Sequence, residues 1–181
     1  ASTDFILLAI PLFVLLGEIL LKAGIAQRTY QALDYWLSWL PGGLLHANIG
    51  TSAMFSATSG SSVATAATIT TVAMPQGRRL GYNESLFAGS IAAGGTLGIL
   101  IPPSINLIIY GFLTNTSIPR LFLAGIVPGL LLALIFMLCM LLACSLWPSL
   151  GSAQMNATWK QRFYSLKDLL PVLLIFLVVI G

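Results

Sequence analysis

The chain has 181 residues, 57% of them hydrophobic and only 7% charged, with a formal net charge of +3. A soluble domain carries about 25% charged residues, so too few charges exist here to cover a water-facing surface. Eight Lys and Arg scattered singly give no basic face for nucleic acid, and the apolar runs lack the alternation of a β-barrel, which leaves an all-α integral membrane protein in a lipid bilayer.

Phe5–Leu21 reads as the first span. Glu18 near its end has Lys22 four residues on, in the favourable order for a local ion pair. Ile25–Leu40 reads as an amphipathic helix in the interface plane. Leu33, Trp36, Leu37 and Leu40 share one face, and Gln27, Arg28, Gln31, Asp34 and Ser38 lie away from it. Pro41-Gly42-Gly43 ends it.

Residues 44–75 carry no formal charge over 32 residues, yet their middle is rich in Ser and Thr. One helix of that length would reach about 48 Å at 1.5 Å per residue. A hydrocarbon core is about 30 Å thick, so the stretch tilts strongly or breaks, with Ser59-Gly60-Ser61 as the breaking point. Charge decides between the two. If the stretch turns at Ser59–Ser62 and returns, seven of the eight basic residues share one side and only Arg120 is opposite. A single crossing splits them three to five. The positive-inside rule favours a re-entrant hairpin opening to the cytoplasm.

Ser85–Thr114 is also interrupted. Gly94-Gly95-Thr96-Leu97-Gly98 is followed by Ile101-Pro102-Pro103-Ser104, where an incoming helix must unwind. The expected halves are Ser85–Leu97 and Ser104–Leu113. Leu121–Trp147 returns as a plain span, with Cys139 and Cys144 read as unpaired hydrophobes on different faces. Gly151–Asp168 reads as a polar connector with an amphipathic piece, and another span begins at Leu169. Ala1 opens without Met or leader signal, and Leu169–Ile180 is shorter than the roughly 20 residues a span needs. A piece of a larger protein is therefore expected.

Broken backbone inside a membrane is tolerated where it lines a cavity or binds something. Two breaks offering hydroxyls, carbonyls and helix ends suit a small hard cation such as Na⁺, and half-helix N-termini suit an organic carboxylate. Paired discontinuous helices are the pattern of secondary transporters.

The run Ser59-Gly60-Ser61-Ser62-Val63-Ala64-Thr65-Ala66-Ala67, with Gly94-Gly95-Thr96-Leu97-Gly98-Ile99-Leu100-Ile101-Pro102-Pro103-Ser104, resembles the large membrane subunit of tripartite ATP-independent periplasmic (TRAP) transporters. So do Ala9-Ile10-Pro11-Leu12-Phe13, Trp39-Leu40-Pro41-Gly42-Gly43 and Leu121-Phe122-Leu123-Ala124-Gly125. The resemblance implies an ion-transporter-type inverted-repeat fold, of which this chain holds one repeat with its re-entrant hairpin and broken helix. It divides the chain into a scaffold helix and arm (1–41), a transport region (42–120, hairpin 44–76, broken helix 85–114), and a return helix, connector and further helix (121–181).

The implied activity is not enzymatic. It is Na⁺-coupled uptake of an organic acid, such as a C4-dicarboxylate or sialic acid, across the bacterial inner membrane by an elevator motion. A periplasmic binding protein would deliver the substrate, and a small membrane subunit, separate or fused, would brace the scaffold. Carried over by motif position, Ser59 and Ser61 would be tip ligands for Na⁺, and Gly98, Ile101 and Pro103 would supply backbone oxygens. Proximity adds Ser62, Thr65, Thr96 and Asn106 as substrate contacts.

Three other readings compete. A divalent-anion/Na⁺ symporter needs no binding protein, but its tip carries an Asn where this chain reads Ser-Gly-Ser-Ser. An intramembrane serine protease needs His46, the one histidine, against Ser59 or Ser61, yet His46 sits about 20 Å along the helix from Ser59. A passive scaffold subunit has no use for two polar breaks.

Overall fold

The computed structural model describes residues 2–151 and 157–180, so residues 152–156 of the expected connector lie outside the described part. The described secondary structure is helical: α1 Ser2–Lys22, α2 Ile25–Leu37, α3 Leu44–Ser59, α4 Ser62–Arg79, α5 Glu84–Thr96, α6 Ile105–Leu113, α7 Ile118–Leu146 and α8 Trp159–Ile180. Short 3₁₀ turns cover Leu97–Ile99 and Pro148–Leu150.

The hairpin forms where the sequence places it. Gly60 closes α3 in the left-handed conformation (φ 62°), with its N–H on the Ser56 carbonyl at 3.0 Å. Gly reaches that conformation without a Cβ penalty. Ser61 is then extended, and its Oγ accepts from the Ala64 N–H at 3.3 Å, capping α4. At the open end the Leu44 N–H donates to the Tyr82 hydroxyl at 3.2 Å. Both ends of the α3–α4 pair therefore lie together, and the chain returns to the level it left. α4 runs past Pro75 to Arg79, slightly beyond the expected end at 76.

α3 is the central element, packed by α1, α2, α4, α5, α7 and α8. All its residues are buried except Ala53 and Met54, which are half-buried. Small residues make this possible. A Cβ on Gly94 would stand 2.7 Å from the Ser52 Cβ, so α5 lies directly on α3. The apolar core gathers Tyr30, Leu44, Leu45, Phe55, Ile69 and Phe87 along the hairpin. A second cluster, Ile49, Ala57, Leu97, Ile101 and Ala133, seats the unwound loop on α7.

A buried polar chain crosses this core. The Tyr30 hydroxyl donates to Asn48 Oδ1 at 3.0 Å, and Asn48 Nδ2 donates to Ser90 Oγ at 2.8 Å. It ties α2 to α3 and α5. Each member is satisfied, which buried polar groups require.

The stretch 84–113 is interrupted. α5 ends at Thr96, a single 3₁₀ turn follows, and α6 starts at Ile105 with Ser104 extended before it. The Pro102–Pro103 peptide is cis. α7 presents apolar side chains such as Val127, Leu134 and Leu138 outward. Among the described residues, α7 is the one helix long and apolar enough to cross a membrane. Cys139 and Cys144 are free thiols, the first exposed and the second buried.

Three expectations are corrected. Glu18 and Lys22 form no ion pair; among the described residues the one ion pair is Arg78–Glu84 at 3.1 Å, a solvent-exposed surface contact. The arm helix ends at Leu37 rather than Leu40, and its polar face is open only in part: Gln27, Arg28 and Gln31 are exposed, but Ser38 is buried and Asp34 half-buried. The reason is that both α3 and α8 pack on α2, so more than one side is covered. Burial pushes the Asp34 carboxyl up to about 6. Lastly, the later part of the connector and the following run are one helix, α8, from Trp159 to Ile180. Its base is fixed to the arm by Trp36 Nε1 donating to the Arg162 carbonyl at 3.1 Å and Arg162 Nε donating to the Tyr35 carbonyl at 3.0 Å.

Candidate functional site

The two breaks in the chain meet. The Ile105 N–H, at the start of α6, donates to the Gly60 carbonyl at 3.1 Å. A Cβ on Gly60 would stand 3.0 Å from the Pro103 carbonyl oxygen. A Cβ on Gly98 would stand 2.9 Å from the Ser62 nitrogen and 3.0 Å from the Ser61 carbonyl carbon. Hairpin tip and unwound loop thus touch main chain to main chain, which only glycine at 60 and 98 permits.

Around this contact the residues expected as ion ligands divide as follows. Ser59 is 3% exposed, and its Oγ lies 2.8 Å from Thr65 Oγ1 and 3.4 Å from the Ser61 N–H. Ser61 is half-buried with its Oγ on the α4 cap. Gly98 and Pro103 are buried beside the tip. Ile101 is 7% exposed and seats its side chain on α7, where a Cβ on Gly129 would meet Ile101 Cγ1 at 2.9 Å. Neither the Ile101 nor the Pro103 carbonyl accepts a hydrogen bond from another described group. Buried carbonyls without a donor suit a cation, whose positive charge takes the place of the missing N–H. Among the described residues no group of three His, Cys, Asp or Glu stands together, and the residues of the tip–loop contact itself offer hydroxyl and carbonyl oxygens.

The expected substrate contacts are less uniform. Ser62 is half-buried at the N-terminus of α4, next to Gly98. Thr65 is fully buried inside the hairpin, bonded to Ser59 and, at 3.4 Å, to Ser56. It braces the tip and does not face open space. Thr96 is exposed, with its hydroxyl returned to the Ala93 carbonyl at 2.7 Å. Asn106 is exposed in the first turn of α6. His46 is buried at the other end of α3, and its Nε2 lies 2.9 Å from the Pro41 carbonyl.

Sequence reasoning passed over Ser104 as a site residue. It is fully buried at the start of α6, and its Oγ has no partner among the described groups. Its place directly after two prolines was the available signal. A larger open cavity of about 450 Å³, lined by Gln31, Tyr35, Lys160 and Asp168 among others, shares no residue with the tip.

Comparison with known proteins bears on what this arrangement serves. The family model for the DctM component of the tripartite ATP-independent periplasmic transporter matches residues 1–181. A C4-dicarboxylate TRAP transporter large permease protein of Pseudomonas aeruginosa is 43% identical over 75% of this chain and 32% of its own length. The corresponding C4-dicarboxylate permease of Vibrio cholerae is 35% identical over 98% of this chain and 39% of its own length. A sialic acid TRAP transporter large permease protein of Vibrio cholerae is 36% identical over 98% of this chain and 41% of its own length. The chain thus spans between a third and two fifths of the length of these relatives.

Proposed function

Because this chain belongs to the DctM-component family of tripartite ATP-independent periplasmic transporters, we propose that it is part of a permease that takes up an organic acid with Na⁺. The observation that carries this reading is the contact of the two breaks: Gly60 against Pro103, and Gly98 against Ser61 and Ser62. Main chain of the tip and of the loop lie against each other there. In this reading Na⁺ is cargo held by Ser59, Ser61 and the carbonyls of Gly98, Ile101 and Pro103. Neutral oxygens replace its water shell without trapping it, as release requires.

The substrate carboxylate lies against the N-terminal turns of α4 and α6, near Ser62 and Asn106. The free N–H groups and positive dipole ends there favour an anion. Ion and anion, bound on either side of one small turn, offset each other's charge, and this couples them. The names of relatives, C4-dicarboxylate and sialic acid with isethionate as a sulfonate, support an organic acid as the substrate.

In the same reading the hairpin is re-entrant in the bacterial inner membrane, and residues 42–120 move as an elevator against a scaffold of α1 and the arm. The chain forms one of two inverted repeats. A periplasmic binding protein hands over the substrate, and a small membrane subunit braces the scaffold. The test is uptake by the full-length permease, reconstituted with its partner proteins in proteoliposomes. Uptake should follow an imposed Na⁺ gradient and ignore ATP; uptake at equal Na⁺ on both sides that matches uptake down the gradient would overturn the reading.

A further inference from the structure

A carboxylate within a membrane helix is costly unless something stabilises its charge. Glu18 of α1 has no ion-pair partner among the described residues, although Lys22 stands one turn away. It lines, instead, a cavity of about 110 Å³ together with Ser59, Ser61 and Thr68. Phe55 and Ile105 close the cavity with apolar surface. Glu18 is the one charged residue in that lining. The approach is close: a Cβ on Gly17 would stand 3.3 Å from the Ser59 Cα. The hairpin tip is therefore held between Gly17 on one side and Gly98 on the other.

We propose that Glu18, with the Ser59 and Ser61 hydroxyls, forms a monovalent-cation site on the α1 side of the hairpin tip, separate from the one facing the unwound loop. The donor set is all oxygen and carries a single negative charge. Ca²⁺ takes six to eight oxygen ligands, as a rule with more than one carboxylate among them, which the cavity does not offer. Its volume matches nearly four water molecules at roughly 30 Å³ each, room for one partly hydrated monovalent ion. The loop residues Gly98, Ile101 and Pro103 are not in its lining.

Ser59 and Ser61 belong to both positions. Two cations sharing those ligands would repel strongly at such short range. The positions are therefore filled in succession, and the Glu18 cavity is a station for the ion that ends at the loop. This rests on the reading of the permease as Na⁺-coupled.

The test uses the full-length permease with its partners. The half-saturating Na⁺ concentration is measured for uptake, and separately for Na⁺-induced thermal stabilisation without substrate, in wild type, Glu18→Gln, Glu18→Asp and Lys22→Ala. Glu18→Gln should raise it tenfold or more in both assays, Glu18→Asp less, and Lys22→Ala not at all. The number of Na⁺ carried per substrate should stay constant across the set. Unchanged values in Glu18→Gln and Glu18→Asp would overturn the proposal. So would a Lys22→Ala effect equal to that of Glu18→Gln, since the carboxylate would then serve an ion pair. Wild-type uptake without Na⁺ dependence would overturn the functional reading itself, and this inference with it.

Discussion

Replacing Gly98 by alanine should force the hairpin tip and the unwound loop apart. The new Cβ would stand 2.9 Å from the Ser62 nitrogen, 3.0 Å from the Ser61 carbonyl carbon and 3.0 Å from the Ser62 Cα. Carbon contacts rest at about 3.5–4.0 Å, so relief takes roughly 0.5–1 Å of movement. All three neighbours are main chain, and no rotamer change provides it. Overpacking of this kind costs about 1–3 kcal/mol of stability, which leaves a folded protein. Misplacement by about 1 Å in a positioned site costs about 10²-fold in rate. Gly98→Ala should therefore fold, lower Na⁺-driven uptake by about one to two orders of magnitude, and raise the half-saturating Na⁺. Gly89→Ala, in α5 just upstream, is the control: its Cβ would meet nothing within 4 Å. Alanine there gains up to about 1 kcal/mol of helix propensity and should leave uptake intact. Na⁺ titrations of uptake in proteoliposomes, beside thermal unfolding, compare the pair. Wild-type Na⁺ dependence in Gly98→Ala, or equal impairment in Gly89→Ala, would refute the role of the tip–loop contact.

Ser61→Ala removes one ion oxygen and the α4 cap on Ala64, so Na⁺ activation should weaken while stability falls by about 0.5–2 kcal/mol. Na⁺ activation equal to wild type would take Ser61 out of the site. The raised carboxyl of Asp34, at about 6, binds its proton more tightly in the folded than in the unfolded state. Stability should thus fall as pH rises from about 4 through 6, and Asp34→Asn should abolish this dependence; a melting temperature equally pH-dependent in the variant would count against burial as the cause. Arg78→Cys, at an exposed position just beyond the hairpin, should react with an impermeant maleimide from the cytoplasmic side. Reaction from the periplasm alone would reverse the topology assigned to the hairpin.

Much of the fold was legible because its signals are local. Gly60 between two serines announces a left-handed stop and a fresh N-cap, and both form. Adjacent prolines after a glycine cluster end a helix whatever surrounds them, and α5 stops at Thr96. The bounds of α8 were missed because the amphipathic segment and the apolar run read as separate pieces, whereas one helix continues through both and past Pro171.

Burial and partners lay beyond the sequence. Helical spacing assigned Asp34 and Ser38 to a solvated face, but α8 arrives from more than 120 residues away to pack on that helix. Thr65 seemed free to meet a substrate until the antiparallel return of α4 turned it onto Ser59. Glu18 had a cation at ideal helical spacing, yet the tip of a distant hairpin offers it a cavity instead. Composition and charge placement alone determined a helical membrane chain with two polar breaks. Propensity and capping act over a few residues, whereas a site is made by contacts between residues far apart in sequence. Only the tertiary structure decided that the two breaks meet, and which side chains are buried where they do.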